Sequence, residues 1–189
     1  MRYAPEHNDA TRERILDAAA RLFRERGIAA VGLSTIMAEA DLTVGTFYTH
    51  FKSKEALVRD ALLRAVDARH EALAQALQAA DLEVVVRAYL SPEHRDAAGT
   101  GCPVAALASE VARHPRETRS AFASHNALTL DALAAWLSSR QGKDVARADA
   151  AALLGLLAGT LQLARATPDR AESDAILEAG IRAAIRLAT

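Results

Sequence analysis

Apolar positions recur at intervals of three and four residues along most of this chain, the period of helices that hide one face and wet the other. The first such segment opens near Asn8 or Asp9, either a suitable cap, and carries Ile15, Ala18, Ala19, Leu22 and Phe23 on one face until Gly27 ends it. A short helix follows Leu33 or Ser34, with Ile36, Met37 and Ala40 inward. Asp41-Leu42-Thr43 reads as a tight turn, after which Thr43 caps a third short helix through about His50. Two short helices joined by so brief a turn form a helix-turn-helix candidate.

From Ser53, a fitting N-cap, a longer stripe runs from Leu57 and Val58 through Val66 and Leu73 to about Gln78. About 25 helical residues span roughly 37 Å, enough to join two modules rigidly. Further helices are expected at 82–90, 103–113, 116–140, 146–166 and 171–187, with a loop at 91–101 and Gly142, Pro168 and Asp169 in the gaps. The pattern predicts an all-α fold of about nine helices, a three-helix module over 1–52 followed by a larger helical body over 53–189.

Composition narrows the function. Alanine is about a quarter of the 189 residues, which favours helix. A content of 51% hydrophobic and 25% charged residues is that of a soluble globular protein. The longest apolar run, Ala150–Ala158, falls well short of a membrane span, and the N-terminus has no hydrophobic signal core, so a cytoplasmic protein is expected. One cysteine, Cys102, excludes an intramolecular disulfide and a Cys-based zinc site. The histidines at 7, 50, 70, 94, 114 and 125 lack metal-ligand spacing, and no phosphate loop, nucleophile elbow or dinucleotide fingerprint appears. No enzyme, metal or cofactor is expected.

Net charge is −1, and residues 1–55 hold eight Lys/Arg against eight Asp/Glu, so no bulk field draws nucleic acid. The DNA signal is local. From Thr43 to Lys54 there is no acidic residue, Thr43 and Thr46 offer hydroxyls, Gly45 permits close approach, and Phe47 and Phe51 sit i,i+4 as inward anchors.

The run Gly45-Thr46-Phe47-Tyr48-Thr49-His50-Phe51-Lys52-Ser53-Lys54-Glu55-Ala56-Leu57 resembles the helix-turn-helix of the TetR family of bacterial transcriptional regulators. The likeness covers about 50 residues. Asp41 departs from the Gly usual in the family's turn, and Val44 is often polar in relatives. Asp tolerates left-handed backbone better than most residues, and Val44 suits contact with a thymine methyl.

The resemblance implies phosphate contacts from Thr43, Thr46, Tyr48, His50 and Lys54, base-edge contacts from Val44, Gly45 and Thr49, and further backbone contacts from Ser34 and Thr35. Arg2 is a candidate minor-groove arm, a solvated arm being the alternative. It also implies a homodimeric repressor on a palindromic double-stranded operator, released by a small-molecule effector. Pocket candidates are Tyr89, Cys102, Leu107, Phe122, His125 and Trp136, with Arg87, His94 and Glu110 as polar partners. The helix at 146–166 is apolar almost all round. Leu153, Gly155, Leu156 and Gly159 there, with Ile176, Gly180, Ala183, Ala184 and Leu187 on the last helix, are candidates for the dimer interface. In Gly101-Cys102-Pro103 the sulfur falls at a helix N-cap, suited to sensing electrophiles or oxidants; the bland alternative is a small buried hydrophobe. The competing reading of the whole chain is a helical interaction module that reads no DNA.

Overall fold

The computed structural model describes residues 5–79, 81–142 and 144–188. Among them the chain is all helical: α1 (Pro5–Arg26), α2 (Leu33–Glu39), α3 (Val44–His50), α4 (Lys54–Ala79), α5 (Leu82–Tyr89), α6 (Pro92–Asp96), a 3-10 turn (Ala98–Thr100), α7 (Pro103–Val111), α8 (Arg116–Gln141), α9 (Arg147–Ala166) and α10 (Arg170–Leu187). Arg2 lies outside the described residues.

The expected helices are present. The loop expected at 91–101 instead holds α6 and the 3-10 turn. Ser91 caps α6 by accepting from the His94 N–H at 3.2 Å, and Pro92 starts it without needing a donor. α1 opens at Pro5, ahead of Asn8 and Asp9. Ser53 caps α4 as expected, its hydroxyl accepting from Ala56 N–H at 3.1 Å. Thr43 stands at the N-cap of α3 but its hydroxyl makes no capping bond; it meets the Thr46 hydroxyl at 3.2 Å. The α2–α3 turn places Asp41 at φ 53°, left-handed backbone, with Arg14 3.8 Å from its carboxylate.

Two apolar cores organise these helices. The first gathers Ile15, Leu22, Phe23, Ile36, Met37, Phe47 and Phe51 of α1–α3 and the turn after α3, all fully buried or nearly so. It is completed by Leu57, Val58, Ala61, Leu62 and Ala65 of α4 and by Leu107 and Val111 of α7. The three-helix module therefore shares its core with the body. Each of its buried phenylalanines stabilises by about 2–3 kcal/mol. The second core lies among α5, α7, α8, α9 and α10 around Leu133, Leu137, Leu153, Leu157, Leu161, Leu177 and Ile181.

This second core corrects part of the interface expectation. α9 is apolar on most sides because α10 covers one face and α7 and α8 others. Leu153 and Ala184 are buried inside the chain, and Gly180 exists to let Thr160 of α9 approach. Those three cannot face a partner. Ile176 also leans on the second core, partly buried. Gly155, Leu156, Gly159, Ala183 and Leu187 keep exposed or half-exposed surface, joined by Leu163, which is 63% exposed.

Candidate nucleic-acid interface and internal cavity

α2 and α3 divide cleanly between inward and outward residues. Phe47 is fully buried and stacks on Phe51 with ring centroids 5.6 Å apart, which fixes α3 on the first core. The opposite surface carries Ser34, Thr35, Thr43, Val44, Gly45, Tyr48 and Thr49, all exposed. Tyr48 is 68% exposed and packs edge-on against Phe47 at 5.1 Å, so its ring is held while its hydroxyl faces solvent. The structure thus brings the predicted reading residues onto one surface, with Thr46 and His50 half-buried at its edge.

Some of their polar groups are already engaged. Thr49 donates to the Thr46 carbonyl at 2.7 Å. Lys54 turns back, its ammonium donating to the Ile28 carbonyl at 3.4 Å, so it ties α4 to the α1–α2 loop. Burial, and then the charge of Arg12, hold His50 below its ordinary pKa, so it is a neutral imidazole at neutral pH. Arg12 itself is paired with Asp60 at 2.5 Å and lies over the Phe51 ring at 5.0 Å. Lys52, exposed, has no partner among the described residues and is the cation most available beside α3.

Beneath this head, a cavity of about 410 Å³ opens between α4, the α5–α7 segment, α8 and α9. Val66, Leu73, Val104, Leu133, Leu154 and Leu157 make it mostly apolar. Tyr89 and Cys102 line it as expected, and so does His94. The other candidates do not. Leu107 is buried in the first core and Phe122 leans on that core. His125 faces a shallow groove on the far side of α4, where Nδ1 meets Asp67 at 2.6 Å. Trp136 packs on the second core under Arg140, 4.6 Å from its ring. Arg87 pairs outward with Glu83 and Glu178, and Glu110 accepts from Ala29 N–H at 3.1 Å. α7 and α8 each touch both cores, and periodicity does not say which core a given turn faces; Arg87, on α5, faces solvent instead. Among the described residues no three His, Cys, Asp or Glu side chains gather to hold a metal.

Sequence reasoning missed Arg69. It sits on the α4 face between Val66 and Leu73, an arginine interrupting an apolar row, and its guanidinium lies over the Tyr89 ring at 5.5 Å. His94 is the pin of this corner. Its Nδ1–H donates to the Tyr89 carbonyl at 2.6 Å and its Nε2 accepts from the Cys102 N–H at 3.0 Å, stitching α5 to the start of α7. Burial pushes its pKa down to about 4, which keeps the ring neutral and the stitch intact at neutral pH.

Cavity and head are physically joined. The 97–103 segment contributes Ala97, Thr100, Cys102 and Pro103 to the cavity wall, while in its middle the Gly99 carbonyl accepts from Arg24 Nε of α1 at 2.6 Å. Glu25 lies where a Gly99 side chain would be. On the other side Glu55, in the first turn of α4, accepts from Thr118 of α8 at 2.6 Å and contacts His114 Nδ1 at 3.0 Å.

Residues 15–61 match the family model of the bacterial regulatory proteins, tetR family. Over these residues the chain is similar to that family. It is similar to the transcriptional regulator TtgR of Pseudomonas putida, 38% identical over 43% of this chain and 38% of that protein. It is likewise similar to the transcriptional repressor NemR of Escherichia coli, 30% identical over 62% of this chain and 61% of that one. The alignments thus span from about two fifths to three fifths of these relatives. The crystal structure of reduced E. coli NemR superimposes with a TM-score of 0.77 at 25% identity, covering 94% of this chain and 96% of that one.

Proposed function

We propose that this chain is a homodimeric transcriptional repressor that leaves a palindromic double-stranded DNA operator when a small molecule fills the cavity. One observation carries the reading: an exposed polar surface on α2 and α3, from Ser34 to Thr49, is mounted on a sealed aromatic core and flanked by an unpaired Lys52. Val44, Gly45 and Thr49 would face base edges. Thr43, Thr46, Tyr48 and Lys52 would bind phosphates, with His50 as a neutral donor. The head spans 1–52 and the effector-binding and dimerisation body 53–189.

Pairing would use the surface of α9 and α10 left after the second core is built, at Gly155, Leu156, Gly159, Leu163 and Ala183. Two heads on a two-fold axis would reach half-sites one helical turn apart. Tyr89, Cys102, His94 and Arg69 would meet the effector. It would act through the 97–103 segment on Arg24 of α1 and through α4 on the turn after α3. It releases DNA only if it binds the off-operator arrangement more tightly. The NemR and TtgR likenesses support regulation in place of catalysis. No described helix is long and apolar enough to cross a membrane, consistent with work in the cytoplasm.

Selection of the purified protein against a random duplex library tests this. The expected result is an inverted repeat bound with a steep salt dependence, lowered by about one unit of slope in Lys52→Met. Absence of any enriched sequence would leave a helical interaction module as the better description.

A further inference from the structure

The cavity wall carries a donor set at one end. The Tyr89 hydroxyl belongs to a residue only 6% exposed and meets no oxygen or nitrogen partner; the side-chain group beside it is the Cys102 thiol, a weak partner. A buried hydroxyl with so weak a partner forgoes on the order of 1–3 kcal/mol, which a stronger acceptor brought beside it would recover. Burial, then the neighbouring Cys102, push its ionisation far above the ordinary range, so it keeps its proton and offers an O–H donor. Beside it, Arg69 is half-buried and has neither a carboxylate nor a hydrogen-bond partner among the described residues; its one recorded contact is the Tyr89 ring. A half-buried guanidinium without an anion is the second unmet demand in the same corner.

The other charges around this corner set the sign. Arg165, whose guanidinium donates to the carbonyls of His94 and Arg95 at 2.8 and 2.9 Å, adds positive charge behind the wall. His94 is neutral and both ring nitrogens are occupied, so it offers neither charge nor a free donor. Glu93 is the one carboxylate on the lining, and it is exposed at the rim where water screens it. A ligand cation would meet Arg69 on the ring face it would otherwise use. The remaining wall is aliphatic.

We infer that the cavity is built for a carboxylic acid with an apolar body, its carboxylate held by the Arg69 guanidinium and the Tyr89 O–H and its alkyl or aryl part lying along Val66, Leu133, Leu154 and Leu157. This deepens the effector reading above and rests on it. A carboxylate satisfies both demands at once, since it accepts a charge-assisted bond from arginine and a second bond from the phenol. A neutral amide or alcohol can accept from either group but brings no charge to match the guanidinium.

The test measures melting temperature and calorimetric affinity of the full-length protein with octanoate and 3-phenylpropanoate, each against its primary amide, and with octylamine. The acids are expected to stabilise the protein and to bind about tenfold or more tightly than the amides. Arg69→Met is expected to erase that preference while leaving amide binding in place. Arg69→Lys should retain most of the preference, and Tyr89→Phe should weaken the acids severalfold. Melting of each variant without ligand checks that it is folded. Equal or tighter binding of the amides or the amine would overturn the carboxylate assignment while leaving the cavity as a ligand site. Failure of all five probes would overturn it too. The effector reading itself fails separately, if an acid that binds the cavity leaves the affinity for the selected operator duplex unchanged.

Discussion

The two cores of this protein are built to opposite specifications. Around α1–α3 the inward side chains are sealed: Ile15, Leu22, Ile36, Met37 and Phe47 have no exposure, while Tyr48 and the polar groups stand outside on the surface. Around α4, α8 and α9 the helices stand apart enough to leave about 410 Å³ unfilled, with Tyr89 on the wall. A reading head must hold a fixed outer shape, so its interior leaves no room for adjustment. A body that senses a ligand, as proposed, would need a void to hold it. The 97–103 segment and the start of α4 belong to both, which is how one core can bias the other.

That contrast can be broken by substitution, and the largest effect should fall in the sealed core. Phe47→Ala is expected to cost about 3–5 kcal/mol in urea unfolding and to abolish duplex binding, because the cavity it leaves cannot collapse against Phe23 and Phe51. A loss below about 1 kcal/mol would mean that the head is not tightly packed.

The next effect belongs to the cavity corner and reads out in pH. The folded His94 pKa of about 4 lies below its ordinary 6.5, so the unfolded chain takes up the proton first and stability falls as pH drops from about 6.5 to about 4. The contribution lost is roughly 2 kcal/mol by pH 5 and about 3 kcal/mol by pH 4. In His94→Asn the slope over this window should flatten; an unchanged slope would remove His94 as its source.

A matched pair sharpens the comparison further. Ala61→Leu, in the sealed core, should destabilise by about 1–3 kcal/mol by overpacking, whereas Ala76→Leu, on the cavity wall, should change stability by less than about 0.5 kcal/mol. Equal penalties at both positions would mean that the void is not available space. Smallest is Asp41→Gly, which relieves left-handed backbone at the α2–α3 turn and should raise stability by about 0.5–1 kcal/mol with duplex binding retained.

Much of the head was legible in the chain because its signals are local. Gly27 at φ 84°, the Asp41 turn, Ser53 as a cap and the Phe47–Phe51 spacing each act within a few residues of themselves, and each does in the structure what its neighbours imply. The exposure of Thr43, Gly45, Tyr48 and Thr49 agrees with the same local run, and Ser34 and Thr35 entered through the family resemblance. The body was legible only as a set of helices. Tyr89 and Cys102 were found, but Leu107 and Phe122 proved to serve the head's core, and Leu153, Gly180 and Ala184 were consumed between α9 and α10.

Helical period and capping chemistry thus determined the all-α architecture, the helix-turn-helix and the division of α3 into anchor and reading faces, since these depend on residues three or four apart. Tertiary structure alone decided which apolar stripe meets which, and therefore where a void is left. It turned Lys54 inward, pinned His94 between α5 and α7, and set Arg69 across from Tyr89, 20 positions away in the chain. A cavity and the charges around it are properties of the gaps between helices, and no single helix encodes the gap.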